Sequence, residues 1–225
     1  MKNVIIAIDG PAGAGKSSVS KAVSKKLGFT YIDTGAMYRA CALMAIETGV
    51  DVRQYTNRLP LMFDDFELVL KADKDMQRVI LNDVDITREI REPDISIGAS
   101  YISAIPYVRD KMVELQRKMA QNTSVVMDGR DIGTNVFPSA DVKIFLTADV
   151  EERAKRRQKE LTEKGNSVSF EEVLFDMKMR DKNDSQREYA PLKQAVDAVV
   201  VDNTELSFDE TVDAVLKCIK EKVKV

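Results

Sequence analysis

Histidine is absent from this chain of 225 residues. Ser-His-Asp and Cys-His nucleophilic sites are therefore excluded, as is every His-ligated metal site. Cysteine is scarce too: Cys41 and Cys218 lie far apart and outside any CxxC spacing. They read as reduced thiols of a cytosolic protein rather than as a disulfide framework. No apolar run approaches the length of a membrane span, and the N-terminus lacks a signal-peptide pattern, so a soluble, cytoplasmic protein without a membrane partner is expected. A basic excess is missing as well, with 34 Lys and Arg against 37 Asp and Glu and a net charge of -3. Nucleic acid is accordingly not an expected partner. Repeats, low-complexity segments and Pro- or Gly-rich linkers are also lacking. What is present is 44% hydrophobic residues, enough for one sizeable core with an inserted subdomain.

Short β-branched runs alternate with longer helical patterns, which predicts an α/β fold with a parallel sheet flanked by helices on both faces. Five runs are apolar almost throughout, as strands buried on both faces must be: Val4 to Ile8, Phe29 to Ile32, Ser124 to Met127, Val142 to Leu146 and Ala198 to Val201. Val19, Ala22, Val23 and Leu27 share one helical face that Gly28 ends. Ser207 with Glu210 and Ser169 with Glu172 predict capping boxes, and Asp149 with Glu152 a third helix start of that kind. One stretch, roughly Leu59 to Arg91, breaks the alternation. There Phe66 to Leu70, Gln77 to Leu81 and Val84 to Ile86 read as antiparallel strands joined by turns at Lys71 to Asp75 and Asn82-Asp83.

The most specific motif is Gly10-Pro11-Ala12-Gly13-Ala14-Gly15-Lys16-Ser17, which matches G-x-x-x-x-G-K-[ST] between an apolar strand and an amphipathic helix. Its backbone N–H groups and the helix N-terminus suit phosphate oxygens. Lys16 supplies a mobile cation, and Ser17 or Ser18 a hydroxyl for phosphate or Mg²⁺. Asp33-Thr34-Gly-Ala-Met-Tyr38-Arg39 follows the second strand, where α/β sheets place ligand groups. Asp128-Gly-Arg130-Asp131 follows the third. Asp128 is placed there to hold Mg²⁺ or its water shell, and Arg130 to clamp a phosphate. Arg153, Lys155, Arg156 and Arg157 share one helix, either as a solvated cationic face or as a lid over a transferring phosphoryl group. Arg180, Asp184 and Arg187 fall on one helical face.

These motifs, in this order and spacing, are IDGPAGAGKSS, DTGAMYR, DGRDIGTNVFP, VKIFLTA and EERAKRR followed by RDKNDSQR and APL. In them the chain resembles, end to end, the bacterial cytidylate kinases of the nucleoside monophosphate kinase family. The resemblance implies a five-stranded parallel sheet of P-loop type, a β-rich inserted monophosphate-binding domain and a helical lid. All belong to one kinase domain over 1–225, with the core at 1–34, 111–148 and 170–225, the monophosphate-binding part at 35–110 and the lid at 149–169. It implies ATP phosphates on Gly10 to Ser18. Thr34, Tyr38, Arg39, Arg109, Arg130 and Asp131 would surround the monophosphate's phosphate and sugar. Ser100, Arg180 and Asp184 would read cytosine, Arg187 would reach the phosphates, and Arg153 and Arg157 would act from the lid. The substrates implied are CMP, dCMP and ATP with Mg²⁺, and the expected protein is a monomer. Relatives often carry serine where Thr34 stands, and glycine after the P-loop lysine.

An acceptor phosphate with a second pKa of about 6 is largely deprotonated at neutral pH, so such a reaction needs no general base. A hydroxyl acceptor, as in a shikimate-like or other small-molecule P-loop kinase, would favour a carboxylate base, for which Asp33 and Asp131 are the candidates. UMP or AMP as acceptor, and a nucleotide-dependent switch or ATPase, are the remaining alternatives.

Overall fold

The five apolar runs become the strands of one sheet. In the computed structural model, which describes residues 3–73, 77–163 and 165–224, the chain begins β1 (Ile5–Asp9), α1 (Lys16–Leu27), β2 (Thr30–Asp33), α2 (Thr34–Glu47) and α3 (Arg58–Asp64). It continues through β3 (Leu68–Ala72), β4 (Gln77–Leu81), β5 (Val84–Asp85), α4 (Pro93–Ile102) and α5 (Pro106–Met119). The last part holds β6 (Val125–Gly129), β7 (Val142–Thr147), α6 (Val150–Glu163), α7 (Phe170–Gln186), β8 (Val199–Asp202) and α8 (Phe208–Lys222). A π-helical turn spans Ile132–Val136.

The large sheet has the order β2-β6-β1-β7-β8. β1 pairs in parallel with both β6 and β7, and β7 with β8. Four of the five strands begin one residue later than the apolar run suggested, while β7 begins with its run at Val142; all five extend past the run, ending on Asp9, Asp33, Gly129, Thr147 and Asp202. The reason is that Asp9 still pairs with Gly129, and Thr147 with Asp202, in the ladder. A period-based reading stops where hydrophobicity stops, whereas backbone pairing continues.

Two compact units divide the chain, Met1–Phe29 with Thr123–Val225, and Thr30–Asn122. In the first, Ile6, Ile8, Val126, Ile144 and Leu146 of the strands pack with Val19 and Val23 of α1 and Val215 and Ile219 of α8. Burying such a side chain is worth about 1.5–3 kcal/mol. In the second, α2 is buried on nearly every side, from Thr34 to Ala45. The small sheet β3-β4-β5 is antiparallel, as expected. Its hairpin turn has Asn82 at φ 48 and Asp83 at φ 65, the left-handed pair that a two-residue turn requires. The other expected turn, Lys71 to Asp75, runs into residues 74–76, which lie outside the described residues. The expected insert also opens with a helix, α3, because Leu59 and Met62 bury one helical face.

Ser169 and Ser207 close the reciprocal capping boxes their sequences predict. Asp149 does not. Its carboxylate accepts from the Glu151 N–H, while its own N–H donates to Thr204 Oγ1. Glu152 therefore has no partner there and turns to Arg156 instead.

Gly10 joins β1 to the phosphate loop at φ 152, and a Cβ on it would lie 1.9 Å from the Leu146 carbonyl oxygen. Neither backbone can yield without disturbing the β1–β7 pairing. Gly10→Ala is expected to lower stability by on the order of 3 kcal/mol in urea unfolding. A loss below about 1 kcal/mol would contradict this packing.

Candidate active site

The phosphate loop, residues 10–18, turns its carbonyls outward onto side chains. Lys16 Nζ donates to the Pro11 carbonyl at 2.6 Å, Arg153 Nη1 to the Ala12 carbonyl at 2.8 Å, and Asn203 Nδ2 to the Ala14 carbonyl at 3.1 Å. The Ala12 N–H donates to Asp181 Oδ1 at 3.3 Å. Gly15, at φ 82, starts α1 without any side-chain cap. The first N–H groups of α1 therefore keep the positive end of the helix dipole for an anion. Lys16 is buried. That burial, and then the nearby Arg130 charge, hold its ammonium well below the usual lysine range, against the opposing pull of Asp128. An anionic ligand would restore the charge.

The loop after β6 leaves the sheet beside the phosphate loop, because Ile8 pairs with Asp128 and Asp9 with Gly129. Ser17 Oγ donates to Asp128 Oδ2 at 2.9 Å; Ser18 is exposed. Arg130 Nε donates to Asp184 Oδ2 at 2.9 Å, and Arg187 lies 3.7 Å from Asp131 Oδ1. Asp131 Oδ2 accepts from Asn135 at 3.0 Å. Burial opposes ionisation of Asp184, yet Arg130, Arg180 and Arg187 together hold its carboxyl below the usual range. The structure thus assembles Arg130, Asp131, Arg180, Asp184 and Arg187 into one charge network; Arg180 and Asp184 lie on α7, whereas Arg187, expected on the same helical face, stands just past its end in extended conformation.

Of the cationic helix, Arg153 is buried: it donates to the Ala148 carbonyl at 2.9 Å and pairs with Asp181 at 2.7 Å. Arg156 donates to Asn203 and to the Thr204 carbonyl, and Arg157 pairs with Glu160 at the surface. The arginines therefore have three sets of partners rather than one.

Within the second unit, Thr34 opens α2 and is buried. Asp33 caps that helix through the Ala36 N–H at 2.8 Å and pairs with Arg39 at 3.2 Å. Arg109, 1% exposed, donates to the Ser103 carbonyl and stands 5.4 Å from the centroid of the Tyr38 ring. Ser100 lies half-buried on α4.

Three residues of the site were not singled out from sequence: Asp9, Asp181 and Asn203. Asp9 accepts from the Ile132 N–H at 2.8 Å and the Gly133 N–H at 2.7 Å. It thereby fixes the π-helical turn that follows Arg130 and Asp131. Its sequence signal is a carboxylate ending an apolar strand directly before the phosphate loop.

Burial raises the Asp9 pKa to about 6, more than its two backbone hydrogen bonds lower it; of its charged neighbours, Asp131 adds to the rise and Lys16 opposes it. A carboxyl more basic in the fold than in the unfolded chain favours the fold below pH 3.8. That contribution is lost as pH rises through about 6. Wild-type stability should therefore fall relative to Asp9→Asn between pH 4 and 7, by up to about 3 kcal/mol. Parallel pH profiles of the two proteins in urea unfolding would contradict the assignment.

Comparison with known proteins bears on this geometry. The family model described as cytidylate kinase matches residues 6–221. The chain is 48% identical over 217 residues to a protein named cytidylate kinase from Caldicellulosiruptor saccharolyticus, covering 96% of both chains. It is also 48% identical to one of that name from Desulfitobacterium hafniense, covering 99% of this chain and 95% of the other. Among solved structures, a gluconokinase from Sinorhizobium meliloti aligns over 97% of this chain and 92% of its own with a TM-score of 0.52 at 14% identity, a likeness of fold alone. The chain belongs to the cytidylate kinase family.

Proposed function

We infer that the chain transfers the γ-phosphoryl group of ATP directly to the phosphate of CMP or dCMP, yielding CDP or dCDP. The observation that carries this reading is Asp184, a buried carboxylate kept ionised by Arg130, Arg180 and Arg187. An ionised carboxylate accepts a hydrogen bond from the cytosine N4 amino group. Uracil places an oxygen at that position, and a buried acceptor facing a lone pair discriminates strongly.

The other roles follow from chemistry and family membership. Gly10 to Ser18 cradle the ATP phosphates, and Lys16 neutralises charge as it transfers. Ser17 and Asp128 offer two oxygen atoms to Mg²⁺, which when bound shields the phosphate charges. Among the described residues no cluster of three or more acidic or Cys side chains forms a metal cage. That suits a cation completed by water and substrate phosphates. Arg130 and Arg187, each paired with a carboxylate, hold fixed positive charge for the acceptor phosphate. Asp131 serves the sugar. Thr34, Tyr38, Arg39 and Arg109 are assigned to the monophosphate's phosphate and sugar, and Ser100 with Arg180 to the base. Residues 149–169 form the lid, from which Arg157 reaches the phosphates, while Arg153 acts close to the phosphate loop. The reading carries with it a monomer in the cytoplasm; no described helix is long and apolar enough to cross a membrane.

A hydroxyl acceptor is less well supported. The Asp33 carboxylate is occupied by the Ala36 N–H and Arg39, and that of Asp131 by Asn135 and Arg187.

With Mg-ATP, turnover of CMP and dCMP should exceed that of UMP, AMP, dTMP and shikimate. Equal turnover of those acceptors, or ATP hydrolysis without any acceptor, would overturn the proposal. Asp184→Ala is expected to shrink the CMP-to-UMP ratio in kcat/KM by at least about tenfold. An unchanged ratio would remove Asp184 from base recognition.

A further inference from the structure

We propose that Asp181 is a positioning residue for the donor loop, and that with Arg153 it clasps Ala12 through both its backbone N–H and its backbone C=O. Asp181 Oδ1 accepts from the Ala12 N–H at 3.3 Å, and Asp181 Oδ2 accepts from Arg153 Nη1 at 2.7 Å. The same Arg153 nitrogen donates to the Ala12 carbonyl at 2.8 Å. Three groups thus close a ring around one residue, Ala12, gripping the two successive peptide groups that flank its Cα. The arginine side is buried and the aspartate side largely so, at 6% and 22% side-chain exposure. Charge-assisted hydrogen bonds in such surroundings are the stronger kind.

Apolar packing holds the same point from the other side. Ala12 packs in a cluster with Ala154 of α6 and Val173 and Met177 of α7. A Cβ on Gly13 would meet the Met177 Cε at 2.2 Å and the Arg153 Cβ at 3.3 Å. The tip of the loop is therefore set against both helices.

Met177, Asp181 and Asp184 lie at i, i+4 and i+7 of α7, so one stripe of this helix carries all three. Its first two members grip the phosphate loop, and its third pairs with Arg130. Asp181 also lies close enough to Arg130 to favour its charge. One rigid helix face thereby fixes the donor loop relative to the groups assigned to the acceptor. The catalytic role of that alignment rests on the kinase reading above; the clasp itself rests on geometry alone.

The test compares Asp181→Ala with Asp181→Asn, an isostere that keeps an acceptor for the Ala12 N–H but loses the charge holding Arg153. Steady-state KM for ATP should rise roughly tenfold in Asp181→Ala, about the worth of one charge-assisted hydrogen bond, and less in Asp181→Asn. KM for CMP should stay within about twofold in both. Calorimetric titration with Mg-ATP alone should show the same loss of affinity, and this readout does not depend on the acceptor. If the wild-type chain binds ATP but fails to phosphorylate CMP, the functional reading falls while the titration still decides the clasp. An unchanged ATP affinity, with or without a lower melting temperature, would overturn the proposal, as would equal rises in both KM values. Should Asp181→Ala fail to fold, the ATP affinity of Asp181→Asn decides in the same way.

Discussion

Two neighbouring parallel strands must deliver two loops to the same edge of a sheet, and Asp9 fastens those loops together. β1 leads into the phosphate loop and β6 into the Asp128–Asp131 segment, with Asp9 opposite Gly129 in the register. Strands so paired run about 4.8 Å apart, so the loops begin adjacent but are otherwise independent. The Asp9 carboxylate removes that independence by binding two successive N–H groups at the start of the π-helical turn. Those donors are buried, and leaving them unsatisfied would cost about 1–3 kcal/mol each. Retaining an ionised carboxylate there has its own desolvation cost near neutral pH. The position of Arg130 and Asp131 depends on meeting it.

From that fastening the charge arrangement follows. Three of the arginines are held in place by carboxylates. Arg130 has Asp184, Arg187 has Asp131, and Arg153 has Asp181. Each pair lies mostly out of water, where breaking it would leave an uncompensated charge. The phosphate loop is ordered by the complementary device, with its carbonyls taken by Lys16, Arg153 and Asn203. Backbone polar groups in a tight loop need partners. Committing these carbonyls outward leaves N–H groups for phosphate oxygens. No histidine is needed in this arrangement, because arginine and carboxylate side chains supply its charges.

Much of this was legible in the sequence, and what was not has a physical reason. Strands and helices were readable because apolar periodicity is a local property: all five core strands and both serine capping boxes fall where the pattern places them. The Asp149 cap was misread because its N–H is taken by Thr204, a residue 55 positions away that no local pattern reveals. The same limit hid Asp9, Asp181 and Asn203. Each is an ordinary polar residue whose importance comes from distant backbone groups: Ile132 and Gly133 for Asp9, Ala12 for Asp181 and Ala14 for Asn203. Arg130 and Asp184 were legible because motif and helical spacing mark them, although their pairing across 54 residues is a fact of the fold. The three-way split of Arg153, Arg156 and Arg157 was not legible. Arg153 precedes Arg156 and Arg157 by three and four residues, so helical spacing sets all three on one side, and only the surroundings decide that Arg153 is buried against Ala148 and Asp181.

The end of α7 shows how local strain serves that network. The helix stops at Gln186, and Arg187 stands at its C-cap in extended conformation. Beyond it Ala190 adopts φ 48, a left-handed conformation that costs a residue with a Cβ roughly 1–2 kcal/mol. Two hydrogen bonds offset that cost. The Leu192 N–H donates to the Asp184 carbonyl at 2.7 Å, satisfying an orphan acceptor of the last helical turn. Arg187 Nε donates to the Ala190 carbonyl at 2.6 Å. A relaxed backbone at Ala190 would aim that carbonyl elsewhere and release the Arg187 side chain. The strained turn therefore has a definite product: it sets the direction of the guanidinium that faces Asp131, from the same helix whose upstream turns hold Ala12 and Arg130.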